Sequence, residues 1–374
     1  MLSLKPCIYL DNSATTRYKP KKVVRAVEKE LTRSANAGRG GHRESIRTLM
    51  KIEECRERVR DITGLSEVVF TKSCTEALNL AIFGLYKGGE IITSVYEHNS
   101  VLRPIERLKS KGASVTYLLG KNGVIEPDLL KKHITKKTAL IVLQEMSNVT
   151  GNIQPIESLG SLAMEYGIPF IVDGAQSLGH VKTNYKGVSC LTASAHKGLY
   201  AMQGTGFLAF KKGLDLEPII LGGTGTDGAL LTQPKTVPEG YEAGTLGAPG
   251  IAGLKEGINF TYSHFEQIAK KTFYLSKTLL DELKKIREVR LYSTFPSGVI
   301  SFNVGQKSST EVADFLDANY GICTRPGIHC APLYHRHLGT LNQGAVRVSL
   351  GYDNTEKDLE ILLKGVKEFA NGLR

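Results

Sequence analysis

The fold is decided by two stretches, Pro169-Phe-Ile-Val-Asp173-Gly-Ala-Gln176 and Ser194-Ala-His-Lys197-Gly198. The first is an apolar run that ends in a carboxylate. The second places a lysine just after another apolar run, 191–194. Short apolar runs of this kind predict buried strands. Because ligands bind beyond the carboxyl ends of the strands in open α/β sheets, we expect Asp173 and Lys197 to meet at one edge of a sheet.

Apolar runs alternate with helical patterns from residue 20 to 210. The runs lie at 67–71, 90–94, 114–119, 138–143, 169–173, 191–194 and 206–210, and helical patterns include 75–85, 101–112 and 158–167. Apolar strands separated by helices predict a mainly parallel sheet covered on both faces. The sequence therefore predicts an α/β domain with a mainly parallel seven-stranded sheet.

A second, smaller region follows a segment rich in Gly and Pro at 211–250. A long helical pattern runs to about residue 286, with strands at 288–293 and 298–304, a helix near 309–319, strands near 322–325 and 345–350, and a last helix from Thr355. A chain of 374 residues fits two domains on the usual size range. We predict a large domain over 15–250 and a smaller α+β domain made of 1–14 and 251–374.

Composition narrows the class of protein. Hydrophobic residues make up 41% of the chain and charged residues 23%, no apolar run approaches the roughly 18 residues of a membrane span, and the N-terminus has no signal-peptide pattern. We therefore expect a cytoplasmic protein with no membrane partner. The net charge of +11 is spread through amphipathic helices, so nucleic acid is not expected as the main partner.

The pairing of Asp173 with Lys197 indicates a particular cofactor, pyridoxal 5'-phosphate. A lysine amine binds its aldehyde covalently, and a carboxylate keeps its ring nitrogen protonated so that the ring accepts electrons. Its phosphate needs an anion site. The run 67–71 leads through Lys72-Ser73-Cys74-Thr75 into a helix whose free N–H groups suit an anion. The alternative is an ordinary helix cap by Ser73 or Thr75.

With these residues in view, the chain resembles the group II cysteine desulfurases of the class V aminotransferase family, which have the pyridoxal-phosphate fold type I. The matching stretches run in the family's order across almost the whole chain: Tyr9-Leu-Asp-Asn-Ser-Ala14, Thr75-Glu-Ala-Leu-Asn79, Glu97-His98-Asn99-Ser100, Ser147-Asn148-Val-Thr-Gly151, Val172-Asp173-Gly-Ala-Gln176, Ser194-Ala-His196-Lys197, Tyr241-Glu-Ala-Gly-Thr245, Arg325-Pro-Gly-Ile-His-Cys330 and Arg347-Val-Ser349.

The resemblance implies a role for each matching residue. The catalytic residues would be Lys197, Cys330 and His98, with His98 stacked on the cofactor ring. The cofactor would be bound by Thr75, Cys74, His98, Asn148, Asp173, Gln176, Ser194, His196, Lys197 and Thr245, the last from a second subunit. The substrate would be bound by Arg347, Asn148, Arg325 and Arg39, and Arg39 would reach the partner's site. No metal is implied. Cys74 stands where the family usually has a small residue or Thr.

The activity implied is the removal of sulfur from L-cysteine, which yields L-alanine and a persulfide on Cys330. L-Selenocysteine is a second possible substrate, and a homodimer and a sulfur-acceptor or iron–sulfur scaffold protein are the expected partners. Cys330 lies in a Gly/Pro-punctuated loop beside His329 and near Arg325, surroundings that favour a thiolate. We expect this loop to be mobile, so that Cys330 collects sulfur and hands it on.

Two kinds of alternative remain. One keeps the cofactor and changes the reaction, to a selenocysteine lyase, an aminotransferase or a kynureninase-like hydrolase. The other is a metal-binding protein that uses His329, Cys330, His335 and His337, although their spacing matches no structural zinc pattern.

Overall fold

A computed structural model describes residues 7–226 and 228–373. Its strands are β1 (Ile8–Tyr9), β2 (Glu67–Thr71), β3 (Glu90–Ser94), β4 (Ser114–Leu118), β5 (Thr138–Gln144), β6 (Phe170–Asp173), β7 (Cys190–Ser194), β8 (Gly206–Phe210), β9 (Val289–Leu291), β10 (Val299–Val304), β11 (Ile322–Cys323) and β12 (Val346–Ser349). Its α-helices are α1 (Lys21–Arg33), α2 (Arg43–Thr63), α3 (Cys74–Leu85), α4 (Asn99–Lys109), α5 (Pro127–His133), α6 (Ile156–Glu165), α7 (Ala248–Ser263), α8 (Phe265–Leu283), α9 (Ser309–Tyr320), α10 (Pro332–Leu338) and α11 (Glu356–Asn371).

The main sheet has seven strands in the order β2-β8-β7-β6-β5-β3-β4. Only β8 runs antiparallel to its neighbours, and every other adjacent pair is parallel. Successive side chains point to opposite faces. Ile171 packs into a core with α3 and α4, while Phe170 and Val172 pack into a core with α2, α6 and α7. Two covered faces explain why the strands are continuous apolar runs, and the predicted seven-stranded, mainly parallel sheet is confirmed.

A separate core lies in the C-terminal third. There β9, β10 and β12 form an antiparallel sheet that packs with α8, α9 and α11, and Leu10 joins them because β1 pairs with β11. The predicted domain limits stay a prediction. The packing of α7 against α1 and α2, with Ile251 and Leu254 in the large core, favours a boundary near residue 264 rather than 250.

The long helical pattern after residue 250 is two helices and not one. The α-helical backbone is interrupted at His264, whose ring stacks on Phe260 with 4.6 Å between the ring centroids. Apolar residues continue at helical spacing through the interruption, so periodicity alone does not reveal it. None of the described helices combines the length and the apolar character that crossing a membrane requires. The cytoplasmic location stays a prediction.

Strand ends and helix starts bring the functional residues together. Asp173 closes β6 opposite Thr192 of β7, and the chain turns to Lys197 three residues after β7 ends. The strands β2 and β3 run in the same direction as β6, so the start of α3 and the His98 turn before α4 lie at the same edge. The parallel topology therefore places these four segments around one point.

Candidate active site

A cavity of about 230 Å³ lies at this carboxyl edge of the main sheet. It is lined by eleven of the residues selected from the sequence: Cys74, Thr75, His98, Asn148, Asp173, Gln176, Ser194, His196, Lys197, Arg325 and Arg347. Cys330, Arg39 and Thr245 do not line it. The sequence thus predicted most of the wall, and the remaining three residues need separate description.

Asp173 is a buried carboxylate at the base of this cavity, with 5% of its surface exposed. Its Oδ1 accepts the Ala175 backbone N–H at 2.9 Å and the Cys74 thiol at 3.5 Å. Burial raises the pKa of Asp173, against the opposing effects of the Ala175 N–H and the nearby Lys197 charge. No side-chain cation bonds this carboxylate among the described residues, so a cationic N–H donor in the cavity would stabilise it.

Lys197 projects into the same cavity from the turn that follows β7. This turn is closed by the Tyr200 N–H, which donates to the Lys197 carbonyl at 2.9 Å, and by the Thr16 hydroxyl. Burial lowers the pKa of Lys197, Asp173 opposes that effect, and Arg347 and Arg325 reinforce it. A lysine with a lowered pKa is more often neutral, which is the form that attacks an aldehyde.

The start of α3 has the features of an anion site. Ser73 caps the helix by accepting the Glu76 N–H at 3.2 Å, as the ordinary-cap alternative requires. The cap leaves the first two helical N–H groups, of Cys74 and Thr75, without a protein partner among the described residues. The Thr75 hydroxyl contacts that of Ser100 at 2.8 Å. The cap and the anion site are therefore compatible.

Two further observations fit an anion here. Buried Nδ1 of His196, which lines the cavity, has no hydrogen-bond partner. Gly206 of β8 allows close approach to the loop before α3, because a Cβ there would lie 2.7 Å from the Ser73 carbonyl carbon and 2.9 Å from the Cys74 nitrogen. An anion at this helix start would meet N–H groups, hydroxyls and an imidazole together.

His98 caps α4 and forms another wall. Its Nδ1 accepts the Ser100 backbone N–H at 3.0 Å, so the neutral ring carries its proton on Nε2. Burial, followed by the charge of Lys197, lowers the pKa of His98 to about 4. The preceding Glu97 is fully buried, and its Oε2 accepts the Gln144 N–H at 2.8 Å. His98 is thus neutral at physiological pH and anchored through its neighbour to β5.

Two arginines lie side by side in the cavity wall. Arg325 and Arg347 are backbone-paired, with N–H to carbonyl distances of 3.1 and 2.8 Å. Arg347 is 1% exposed and donates to Asp11 Oδ1 at 2.8 Å and to the Asn148 carbonyl at 3.0 Å, while its buried Nε has no partner. Burial lowers the pKa of Arg347, and Asp11 opposes that effect. Adjacent like charges with an unused donor favour a bound anion such as a carboxylate.

Cys330 lies in a tight turn, and the mobility expected of its loop stays a prediction. Its turn is closed by the Ala331 N–H, which donates to the Ile328 carbonyl at 2.8 Å. Both central residues, His329 and Cys330, have positive φ, of 48° and 56°, the sign that type I′ turns require. Positive φ costs non-glycine residues about 1 kcal/mol or more each, so surrounding contacts must hold the turn.

Those contacts come from both sides of the cavity. Asn148 Nδ2 donates to the His329 carbonyl at 2.7 Å, and the Asn99 N–H donates to the Cys330 carbonyl at 2.7 Å. His329 is 4% exposed and lines the cavity, whereas Cys330 is half-buried. Cys330 is also close enough to Arg347 to affect the pKa of that guanidinium. The turn therefore holds the thiol next to the cavity.

Arg39 and Thr245 lie together elsewhere. Arg39 Nη2 donates to the carbonyls of Gly223 and Gly244, at 3.0 and 2.7 Å, and Thr245 is exposed. Neither side chain is among the described residues that line the cavity. No group of three or more His, Cys, Asp or Glu side chains in the described ranges is arranged to hold a metal, so the structure does not support the metal-site alternative.

Comparison with known proteins decides the family. The model of the family described as aminotransferase class-V matches residues 8–362. The chain belongs to the class-V aminotransferase family. Relatives described as probable cysteine desulfurases include one from Pyrococcus abyssi, 36% identical over 98% of this chain and 95% of the relative, and one from Methanothermobacter thermautotrophicus, 32% identical over 98% and 96%. The apo structure of a cysteine desulfurase from Thermococcus onnurineus superposes with a TM-score of 0.89, at 35% identity over 98% of this chain and 95% of the other.

These matches confirm the predicted family and the fold type I architecture, while the group II subtype stays a prediction. Class-V aminotransferases are pyridoxal-phosphate enzymes, and the cavity fits that group. A buried carboxylate that bonds no cationic side chain among the described residues, a lysine with a lowered pKa and a helix start with free N–H groups suit the ring nitrogen, the aldehyde and the phosphate.

Asp11, Ser100 and Gln144 are site residues that the sequence did not single out. Asp11 orients Arg347, Ser100 contacts both Thr75 and His98, and Gln144 lines the cavity. Asp11 and Ser100 lie within matching stretches, so position in those stretches was the available signal. Gln144 ends a buried strand next to β6, which the alternation of strands and helices could have indicated.

Proposed function

We propose that this class-V aminotransferase family member is a cysteine desulfurase. It removes sulfur from L-cysteine, releases L-alanine and carries the sulfur as a persulfide on Cys330. The names of its relatives support the activity. The single observation that carries the proposal is the anchored turn, which holds a half-buried thiol beside a cavity that suits the cofactor.

The residues of the cavity divide the work of holding the cofactor, pyridoxal 5'-phosphate. Lys197 Nζ would bind its aldehyde, Asp173 its ring nitrogen, and the start of α3, with Ser194 and His196, its phosphate. Bound there, the cofactor supplies an electron sink that makes the substrate's Cα–H acidic and weakens its bond to sulfur. Gln176 Nε2 donates to the Ser13 carbonyl at 3.0 Å, which fixes its amide at the cavity wall.

The substrate carboxylate is placed by the arginine pair. Arg347 has a free Nε and is held by Asp11 and the Asn148 carbonyl, so its guanidinium plane is fixed before substrate arrives. A planar guanidinium suits a carboxylate because two parallel hydrogen bonds form. Asn148 links this subsite to the thiol, since its side chain also holds the His329 carbonyl.

Proton movement is assigned to Lys197 and His98. As a free amine with a lowered pKa, Lys197 Nζ would be suited to take the proton from the substrate Cα. His98 stays neutral and presents its Nε2 proton, because its Nδ1 is occupied by the Ser100 N–H. A neutral His98 adds no positive charge beside the arginine pair.

The sulfur step uses the Cys330 thiolate as nucleophile. A bond forms between Cys330 Sγ and the substrate sulfur while the substrate's Cβ–S bond breaks. The electron pair of the broken bond stays on the three-carbon fragment, which takes up a proton and leaves as alanine. One L-cysteine and one Cys330 thiol therefore give one L-alanine and one persulfide, with no external oxidant.

The test follows the sulfur atom. We expect that adding L-cysteine to the cofactor-loaded protein releases alanine and adds one sulfur to the peptide that contains Cys330, and that a reductant removes it. Peptide mass spectrometry and alanine analysis make both measurements. Peptides with Cys323 or Cys190 are internal controls. Pyruvate or an amino-group transfer in place of alanine, without added sulfur, would instead indicate a lyase or an aminotransferase.

We also propose a homodimer that completes each site. The segment with Thr245 is anchored firmly, because buried Glu242 bonds Arg56 Nη1 at 2.9 Å and the Phe70 N–H at 2.6 Å. The same segment exposes Leu221, Leu230 and Leu231, the last completely. Exposed apolar side chains grouped on one surface segment are typical of a protein interface.

Light scattering is expected to give about twice the chain mass of 40.8 kDa. Thr245→Ala should keep that mass while weakening retention of the cofactor, since Thr245 would bind phosphate in the partner's site. Full activity from a strict monomer would contradict the dimer.

A further inference from the structure

A second concave surface adjoins the Cys330 turn. It lies between α4 and α10, encloses about 740 Å³, and is called here the α4–α10 groove. Its floor is apolar, with Val95, Leu102, Tyr117 and Leu333. It is distinct from the cofactor cavity, because the two share no lining residue.

The groove is linked to the turn that holds Cys330. Asn99, which lines the groove, donates its backbone N–H to the Cys330 carbonyl at 2.7 Å. The other wall, α10, starts at Pro332, two residues after Cys330. A chain segment bound in this groove would therefore lie against the turn that holds Cys330.

The walls of the groove carry unneutralised positive charge. Arg103 on α4 and Arg336 on α10 are exposed, and neither has a carboxylate partner among the described residues. The carboxylate of Glu106 in the groove is already engaged, by Lys109 Nζ at 3.5 Å and by the Tyr117 hydroxyl. An apolar floor between two free arginines is complementary to a segment that combines apolar and acidic side chains.

We propose that the α4–α10 groove docks an acidic, partly apolar segment of a sulfur-accepting protein, which presents a thiol to the Cys330 persulfide. This inference rests on the proposed desulfurase function. The acceptor thiolate attacks the outer sulfur of the persulfide, a new S–S bond forms on the acceptor, and the Cys330–sulfur bond breaks. Cys330 leaves as a thiolate, so the acceptor becomes the persulfide and the enzyme is restored.

A second copy of the chain is a poorer occupant. The groove shares no lining residue with the Arg39–Thr245 region that we propose faces the second subunit. The chain also carries a net charge of +11, so another copy offers little acidic surface to the two arginines.

The test uses two synthetic peptides with a terminal cysteine and the same apolar residues, one with Asp and Glu and the other with Lys. Binding to the holoenzyme is measured by fluorescence anisotropy, which needs no sulfur chemistry. Sulfur transfer from the persulfide is measured by mass spectrometry, with dithiothreitol as a small thiol acceptor. We expect the acidic peptide to bind and to accept sulfur on the order of tenfold better at low salt, with the advantage shrinking as salt is added.

Charge reversal supplies the matched variants. Arg336→Glu and Arg103→Glu should each remove most of the preference for the acidic peptide, when every rate is divided by the same variant's rate with dithiothreitol. Arg107→Glu is the control, because Arg107 is also exposed on α4 and lies outside the groove; it should keep the preference.

Each contrary result has a separate meaning. Equal binding of the two peptides, or an equal loss in Arg107→Glu, overturns the docking site. A change in oligomer mass with Arg336→Glu also overturns it, since the occupant would then be a second copy. The last result separates the two proposals. If the acidic peptide binds preferentially but L-cysteine gives no persulfide and no sulfur reaches even dithiothreitol, the docking surface is supported and the proposed desulfurase function is refuted.

Discussion

Cys330→Ala is expected to lose alanine release and persulfide formation by on the order of a hundredfold or more, as when a nucleophile is removed. The cofactor should stay bound, because the variant leaves Lys197 and Asp173 unchanged. Absorption should still shift when L-cysteine is added, since the arginine pair and Lys197 still accept substrate. Alanine, persulfide and absorption measured on one sample separate binding from sulfur removal.

A less stable fold would also lower the activity of Cys330→Ala, and the geometry of the turn allows that explanation to be tested. Alanine keeps the Cβ of cysteine, so the cost of positive φ at residue 330 does not change. Cys330→Ala should therefore melt near the wild-type temperature, and Cys323→Ala, in nearby β11, should keep its activity.

Selenium leaves carbon more readily than sulfur, so Cys330→Ala is expected to retain more activity on L-selenocysteine than on L-cysteine. If Cys330→Ala removed sulfur from L-cysteine at the wild-type rate, the result would point to a general lyase or aminotransferase.

Lys197→Ala is expected to abolish turnover, with a loss on the order of a thousandfold or more, because one amine both holds the cofactor and moves the Cα proton. The wild type should be yellow, and borohydride should fix the label on Lys197. The variant should fold and bind cofactor without a covalent link, since Asp173 and the start of α3 remain.

Lys212→Ala is a suitable control for this experiment, because Lys212 is exposed and lies outside the cavity. It should keep the colour, the borohydride label and the activity. A colourless wild type that pyridoxal phosphate does not reconstitute, or a label on a lysine other than Lys197, would contradict the cofactor assignment.

The sequence predicted the main sheet well because each of its strands is a short apolar run with its own local signal. The apolar period after residue 250 predicted one long helix, which is wrong. Two helices share that period, and only the backbone is interrupted, at His264. The apolar runs also do not show that β8 runs antiparallel, since strand direction depends on how the connection crosses the sheet.

Within the site, the sequence alone determined the residues that follow strands or start helices. Asp173, Lys197, His98 and Thr75 meet because parallel strands present their carboxyl ends at one edge, whatever the details of packing. The resemblance to the family supplied the roles of Cys330 and Arg347, but not their surroundings.

Only the tertiary structure decided how the thiol and the arginine pair are held. Arg347 is fixed by Asn148 and Asp11, which are 199 and 336 positions away in the chain, and the Cys330 turn is anchored by Asn148 and Asn99. The α4–α10 groove likewise joins two helices that are far apart in sequence. Local patterns record strand and helix formation, whereas these contacts form only when distant segments pack together, so no stretch of sequence contains them.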